Sequence, residues 1–202
     1  MSAIVPTAPI TPPMSSTGDR LAVLELKDGN TLVGYSFGGS KPAAGELVFQ
    51  TGMVGYPESI TDPSYEGQIL VITYPLVGNY GISDADLKDE LLEQLPRYFE
   101  SNRIHVAGLV IAHYTEEFSH WLAKSSLGDW LKRENVPAVY GVDTRALTKH
   151  LRESGSMLGR LGLQIGEKPV DLNQPQWKDS FEVSSWVDPN VKNLVAEVSI
   201  KE

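Results

Sequence analysis

Short apolar runs broken by turn residues set the rhythm of this sequence. Leu21-Ala22-Val23-Leu24-Glu25-Leu26 and Thr31-Leu32-Val33-Gly34-Tyr35 flank Asp28-Gly29, a pattern that predicts a β-hairpin. Leu47-Val48-Phe49 and Ile69-Leu70-Val71-Ile72 are too short for helices and read as strands, the second of them buried. His105 through Ala112 reads as another buried strand, Val136 through Val142 as a further one, and Met157 through Leu163 as a last short strand or turn. Helical spacing is rarer. Ser125 or Ser126 is placed to cap a short helix with Leu127, Trp130 and Leu131 on one face. Asp143 caps the clearest helix, Thr144 to Glu153, with Leu147 and Leu151 in register and Gly155 just past its end. The leucines at 87, 91, 92 and 95 among acids predict an amphipathic helix over 83–101, capped by Ser83 and ended or kinked by Pro96. The order is strand-rich α+β.

Between the runs at 47–49 and 69–72, residues that dictate backbone shape crowd together: Gly52, Gly55, Pro57, Asp62-Pro63 and Gly67. Tyr74-Pro75 and Gly78-Asn79-Tyr80-Gly81 form a second shaped loop after them. Loops specified this closely position something. The second is expected to present polar groups to a partner, and an isolated domain showing that face is expected to self-associate into homo-oligomers. At the ends, residues 1–19 carry Pro6, Pro9, Pro12 and Pro13 among Ser and Thr and read as a disordered arm. Residues 20–166 read as one domain, and 167–202, polar with scattered prolines, as an irregular linker.

Composition narrows the chemistry. A net charge of −9 argues against nucleic acid, where a basic footprint supplies affinity. With no cysteine there is no disulfide, no Cys-bound metal and no thiol nucleophile. No apolar run is long enough to span a membrane and no targeting pattern stands at the start, so the expected location is cytoplasmic. Gly34-Tyr35-Ser36-Phe37-Gly38 fits G-x-S-x-G, but a nucleophile elbow needs a helix at the serine, and Gly38-Gly39-Ser40-Lys41-Pro42 cannot start one. The acidic run at 84–90 lacks the glycine and the spaced final acid of a calcium loop. The histidines, at 105, 113, 120 and 150, have no metal-ligand spacing.

Two long motifs carry a family resemblance: TGMVGYPESITDPSYEGQ running into ITYPLVGNYG, and VYGVDTRALTKHLRESGSMLG. Together they resemble the N-terminal domain of the glutamine-amidotransferase (small) subunit of carbamoyl-phosphate synthetase. The Pro-rich start and the ending WVDPNVKNLVAEVS look most like the fungal-type multifunctional pyrimidine-pathway protein, in which this domain opens a longer polypeptide. The resemblance implies a layered β/β/α module. It also implies a non-catalytic part, docked to amidotransferase and synthetase domains. The cysteine nucleophile would lie in the amidotransferase domain that the 167–202 linker leads into. ATP and magnesium would serve the synthetase portion, leaving no cofactor here. One ligand contact is implied, from Ser64 in Asp62-Pro63-Ser64-Tyr65 to bound glutamine. On the residues alone, Ser64 reads instead as bonding its own turn. The alternative to the synthetase reading is a self-standing interaction or regulatory module of the same fold.

Overall fold

A computed structural model describes residues 20–92 and 95–199; the Pro-rich arm at 1–19 lies outside them. In chain order the elements are β1 (Leu21–Leu26), β2 (Thr31–Ser36), β3 (Ala43–Gln50), α1 (Tyr56–Thr61), β4 (Ile69–Ile72) and β5 (Ile82–Ser83). There follow β6 (Gly108–Ile111), β7 (Ala123–Ser125), α2 (Leu127–Arg133), β8 (Ala138–Tyr140), α3 (Thr144–Ser154), β9 (Met157–Gln164), β10 (Phe181–Val183) and α4 (Leu194–Val198). The fold is α+β and dominated by strands.

The main sheet runs β1-β2-β8-β6-β4-β3-β9, and β9 returns to pair with β1, so these strands close on themselves like a barrel. Three neighbours, β4, β6 and β8, run parallel and are buried along their whole length. Alternate side chains of each enter different cores. Ile69, Val71, Val110 and Val139 join one cluster with Leu147 and Leu151 of α3. Leu70, Ile72, Leu109, Ile111, Ala138 and Tyr140 join another with Ile60 of α1 and Leu127, Trp130 and Leu131 of α2. Burial on both faces explains why these strands read as unbroken apolar runs rather than alternating ones.

Three expectations need correction. No helix forms over the described part of 83–101. Asp84 Oδ1 accepts from Asp86 N (2.9 Å), and Asp89 Oδ1 accepts from Leu91 N (2.9 Å) and Leu92 N (3.0 Å). Short acidic side chains thus capture the amides a helix would use. Leu91, 91% exposed, has no core to face. Conversely, α1 forms inside what reads as pure turn. Met157–Gln164 is not a short end-piece but an eight-residue strand bonded to β1, β3 and β10. The described part of 167–202 packs in patches: β10 extends the sheet, and the Trp186 ring centre lies 4.7 Å from both the Lys27 Nζ and the Arg160 guanidinium carbon.

Candidate functional site

The Ser64 turn is built by its neighbours in sequence. Gly55 takes a positive φ of 87°, which lets the chain swing into α1, and Pro57 sits in the first turn of that helix. Helix geometry fails before Pro63, so Asp62 is extended. Asp62 Oδ1 then accepts the Ser64 N–H at 2.8 Å and fixes a single 3-10 turn over Pro63–Tyr65. It is the Ser64 amide, not its hydroxyl, that bonds the turn. The Ser64 side chain is exposed, and its hydroxyl has no hydrogen-bond partner among the described residues.

Residues 100–107 clamp this turn at both ends. On one side Glu100 N donates to Thr61 Oγ1 (3.0 Å), Ser101 Oγ to Thr61 O (2.7 Å) and His105 N to Ile60 O (3.0 Å). On the other, Gly67 N donates to His105 O (3.1 Å) and Ala107 N to Gln68 O (2.8 Å). Side chains finish the clamp: Glu66 bonds the His105 Nδ1 and the Arg103 guanidinium (3.0 Å), while His105 Nε2 meets Ser101 Oγ at 2.9 Å.

Ser101, His105 and Glu66 form a serine–histidine–carboxylate chain, the order of a hydrolase triad. The hydrogen bonding excludes that chemistry. The Ser101 hydroxyl spends its proton on the Thr61 carbonyl, so His105 cannot act as its base, and the ring is buried, 6% exposed. The other serine motif also fails. Ser36 ends β2, no helix follows, and Gly38 and Gly39 pack tightly against the backbone of 135–138.

A second feature stands beside the N-terminus of α1. The Tyr80 ring stacks on Tyr56 at 4.2 Å, and its hydroxyl accepts the N–H groups of Gly55 (2.8 Å) and Tyr56 (3.1 Å). Tyr56 in turn donates its hydroxyl to Gly81 O at 2.8 Å. Burial pushes both phenols up, so both stay protonated, Tyr56 as a donor and Tyr80 as an acceptor. Gly81 could carry no side chain: its φ is +64°, and a Cβ would meet Ala123 Cβ and Ser125 O at 2.9 Å. The loop at 74–81 is therefore tied to α1 and to the 123–125 strand; its Tyr80 hydroxyl turns inward, and it shows Pro75 and Leu76 to the outside. Next to it opens a cavity of about 550 Å³ between α1, Tyr80, Tyr98 and the 120–123 segment.

The Ser64 turn was reachable from sequence because its motif is contiguous. The clamp and the cavity were not, since each gathers residues from separate segments. The shaped residues at 52–67 were the one local signal.

Residues 24–161 match the profile of the carbamoyl-phosphate synthase small chain, CPSase domain. The chain is 71% identical over 203 residues to Multifunctional protein URA2 of Saccharomyces cerevisiae, covering 100% of this chain and 9% of that protein. It is 49% identical over 183 residues to the mitochondrial carbamoyl-phosphate synthase [ammonia] of Homo sapiens, covering 91% of this chain and 11% of that one. With the carbamoyl phosphate synthase arginine-specific small chain of Eremothecium gossypii the identity is 45% over 188 residues, covering 93% and 43%. The sequence thus spans about a tenth of the multifunctional relative. This chain belongs to the carbamoyl-phosphate synthase small-chain family and carries its CPSase domain.

Proposed function

We propose that this chain is the non-catalytic N-terminal module of a glutamine-hydrolysing carbamoyl-phosphate synthase of the pyrimidine pathway, working in the cytoplasm. It docks to the synthetase portion and closes one wall of the glutamine site with Ser64. Residues 1–19 are its arm, 20–166 the module and 167–202 the lead toward the amidotransferase domain. The layered β/β/α arrangement of such modules is part of this reading, supported by the dominance of strands and by a main sheet that closes on itself. Glutamine hydrolysis takes place on a cysteine elsewhere in the polypeptide, and ATP and magnesium act in the synthetase portion. Separated from those partners, the module is expected to form homo-oligomers through its exposed apolar side chains.

The observation that carries this reading is Ser64 itself. Its hydroxyl is exposed and unbonded within the described residues, on a turn held rigidly from both ends. A side chain presented that way suits an outside ligand better than a structural role. The chain incubated alone with glutamine should release no ammonia above buffer. Steady turnover by the purified chain would overturn the reading.

A further inference from the structure

Glu58, on the wall of the cavity beside Tyr80, has no ion pair and no side-chain hydrogen bond among the described residues; its Oε2 is sealed inside the protein, so a group in the cavity would meet the carboxylate through its other oxygen. A carboxylate can only accept, and a buried acceptor left unmade is costly. The donors nearest in sequence are already committed, since the Gly55 and Tyr56 amides both point at the Tyr80 hydroxyl. Neighbouring cations are engaged elsewhere: Arg97 lies 3.4 Å from Glu90 and over the Tyr98 ring, and Lys124 lies 3.9 Å from Asp84. The other walls are mostly aromatic and apolar, including Tyr80, Tyr98, Trp121 and Pro57, with Ser83 and the His120 ring as the polar exceptions. Ring faces around a single unpaired carboxylate attract an organic cation carried on an apolar stem. One carboxylate is too few for a metal ion.

The rim decides where that cation comes from. Trp121 is 84% exposed, Val54 77% and Met53 69%. Large side chains left this open beside a pocket mark a surface covered by a macromolecule, with the aromatic ring as an anchor. The net charge of −9 favours a basic one.

We propose that this cavity receives a lysine or arginine side chain from the protein surface against which the module docks, with Glu58 as its counter-ion and Trp121 folded over its stem. The proposal rests on the docking reading above, and it adds the point of attachment and the partner's chemistry.

Two measurements test it. First, N-acetyl-arginine amide is titrated into the isotope-labelled chain while the Trp121 indole N–H signal is followed, with N-acetyl-citrulline amide as the neutral control. The expected result is a saturable millimolar response to the cation alone, weakened about tenfold in Glu58→Gln. An equal response to the neutral probe, no response, or indifference to Glu58→Gln overturns the proposal. Second, the chain is mixed with the rest of its parent polypeptide supplied separately. Glu58→Gln and Trp121→Ala should each weaken association, and Trp121 is exposed enough for its loss not to endanger folding. Association that ignores both changes overturns the cation pocket and leaves docking standing. No association by the unmodified chain overturns docking and the pocket with it.

Discussion

The hydroxyl of Ser64 would touch the carried end of glutamine rather than its reacting amide, so ground state and transition state should lose the contact together. In the full-length enzyme, Ser64→Ala should raise the glutamine KM with kcat little changed. A hydrogen bond to a charged group is worth about 1.5–3 kcal/mol, or roughly ten- to a hundredfold in KM. Synthesis from free ammonia should be untouched; a parallel loss there would mean that Ser64 only holds the turn. His105 acts one step back. It faces Glu66 and Ser101, so His105→Ala removes the middle of the clamp and leaves Glu66 with Arg103 alone and Ser101 with backbone carbonyls. Amide exchange at Gly67 should accelerate in this variant more than at the centre of β4, because the Gly67 N–H bonds the His105 carbonyl of the loosened segment. Equal protection at both positions would place His105 outside the turn's support. The Ser64 turn was legible in Asp-Pro-Ser-Tyr, where the proline ends the helix and the aspartate catches the next amide but one, but Ser64 as a ligand residue came only from the family resemblance. The part played by His105 was not legible, because it is fixed by Glu66 and Ser101, which only the fold brings to it.

Leucines recurring at helical intervals over 83–101 satisfied the periodicity of an amphipathic helix and still gave none among the described residues. Periodicity states which face would be buried, but a helix also needs something to bury it against. Leu92, 60% exposed, and Leu91 find no such surface, while Asp84 and Asp89 offer the backbone closer partners. Leu92→Ser should therefore change stability by no more than about 0.5 kcal/mol. Leu147→Ala, in a side chain with no exposure, should cost about 2–5 kcal/mol, as urea unfolding of the two variants would read directly. The contrast with α3 is instructive because every signal there agreed. Asp143 Oδ1 accepts from Ala146 N at 2.9 Å, Leu147 and Leu151 enter the core, and Gly155 ends the helix at a positive φ of 76°. The opposite failure is α1, whose six residues were hidden because its first amides are satisfied by Tyr80, a residue from outside the helix.

Carboxylates join distant parts of the whole molecule. Glu25 of β1 meets Arg160 of β9 and Lys178, Asp28 meets His150 of α3, and Glu46 of β3 meets Ser156, Gln68 and Asn190. Burial opposes ionisation at all three, yet each carboxyl is held below its ordinary value, Glu25 by Arg160 and Lys178, Asp28 by the Asn30 amides and then His150, and Glu46 by its three hydrogen bonds. Such a group binds fewer protons folded than unfolded, so its stabilisation is present above the unfolded value and lost as pH falls through the folded one. The urea midpoint should hold steady near neutrality and decline as pH drops below about 4.5, the ordinary glutamate value. Glu25→Gln should flatten part of that decline. The longer strands of the main sheet were legible in the sequence, but β5, β7 and β10 were not, nor was the return of β9 onto β1, since nothing local tells Ala22 that it will lie opposite Leu163. That closure bears on how the protein is made. The β1–β2 hairpin can form within about 10 μs of leaving the ribosome. Translating the stretch between Ala22 and Leu163 takes on the order of ten seconds or more. Throughout that interval the nascent hairpin waits with an unpaired edge, which makes this part of the chain a natural client for chaperones until β9 arrives to seal it.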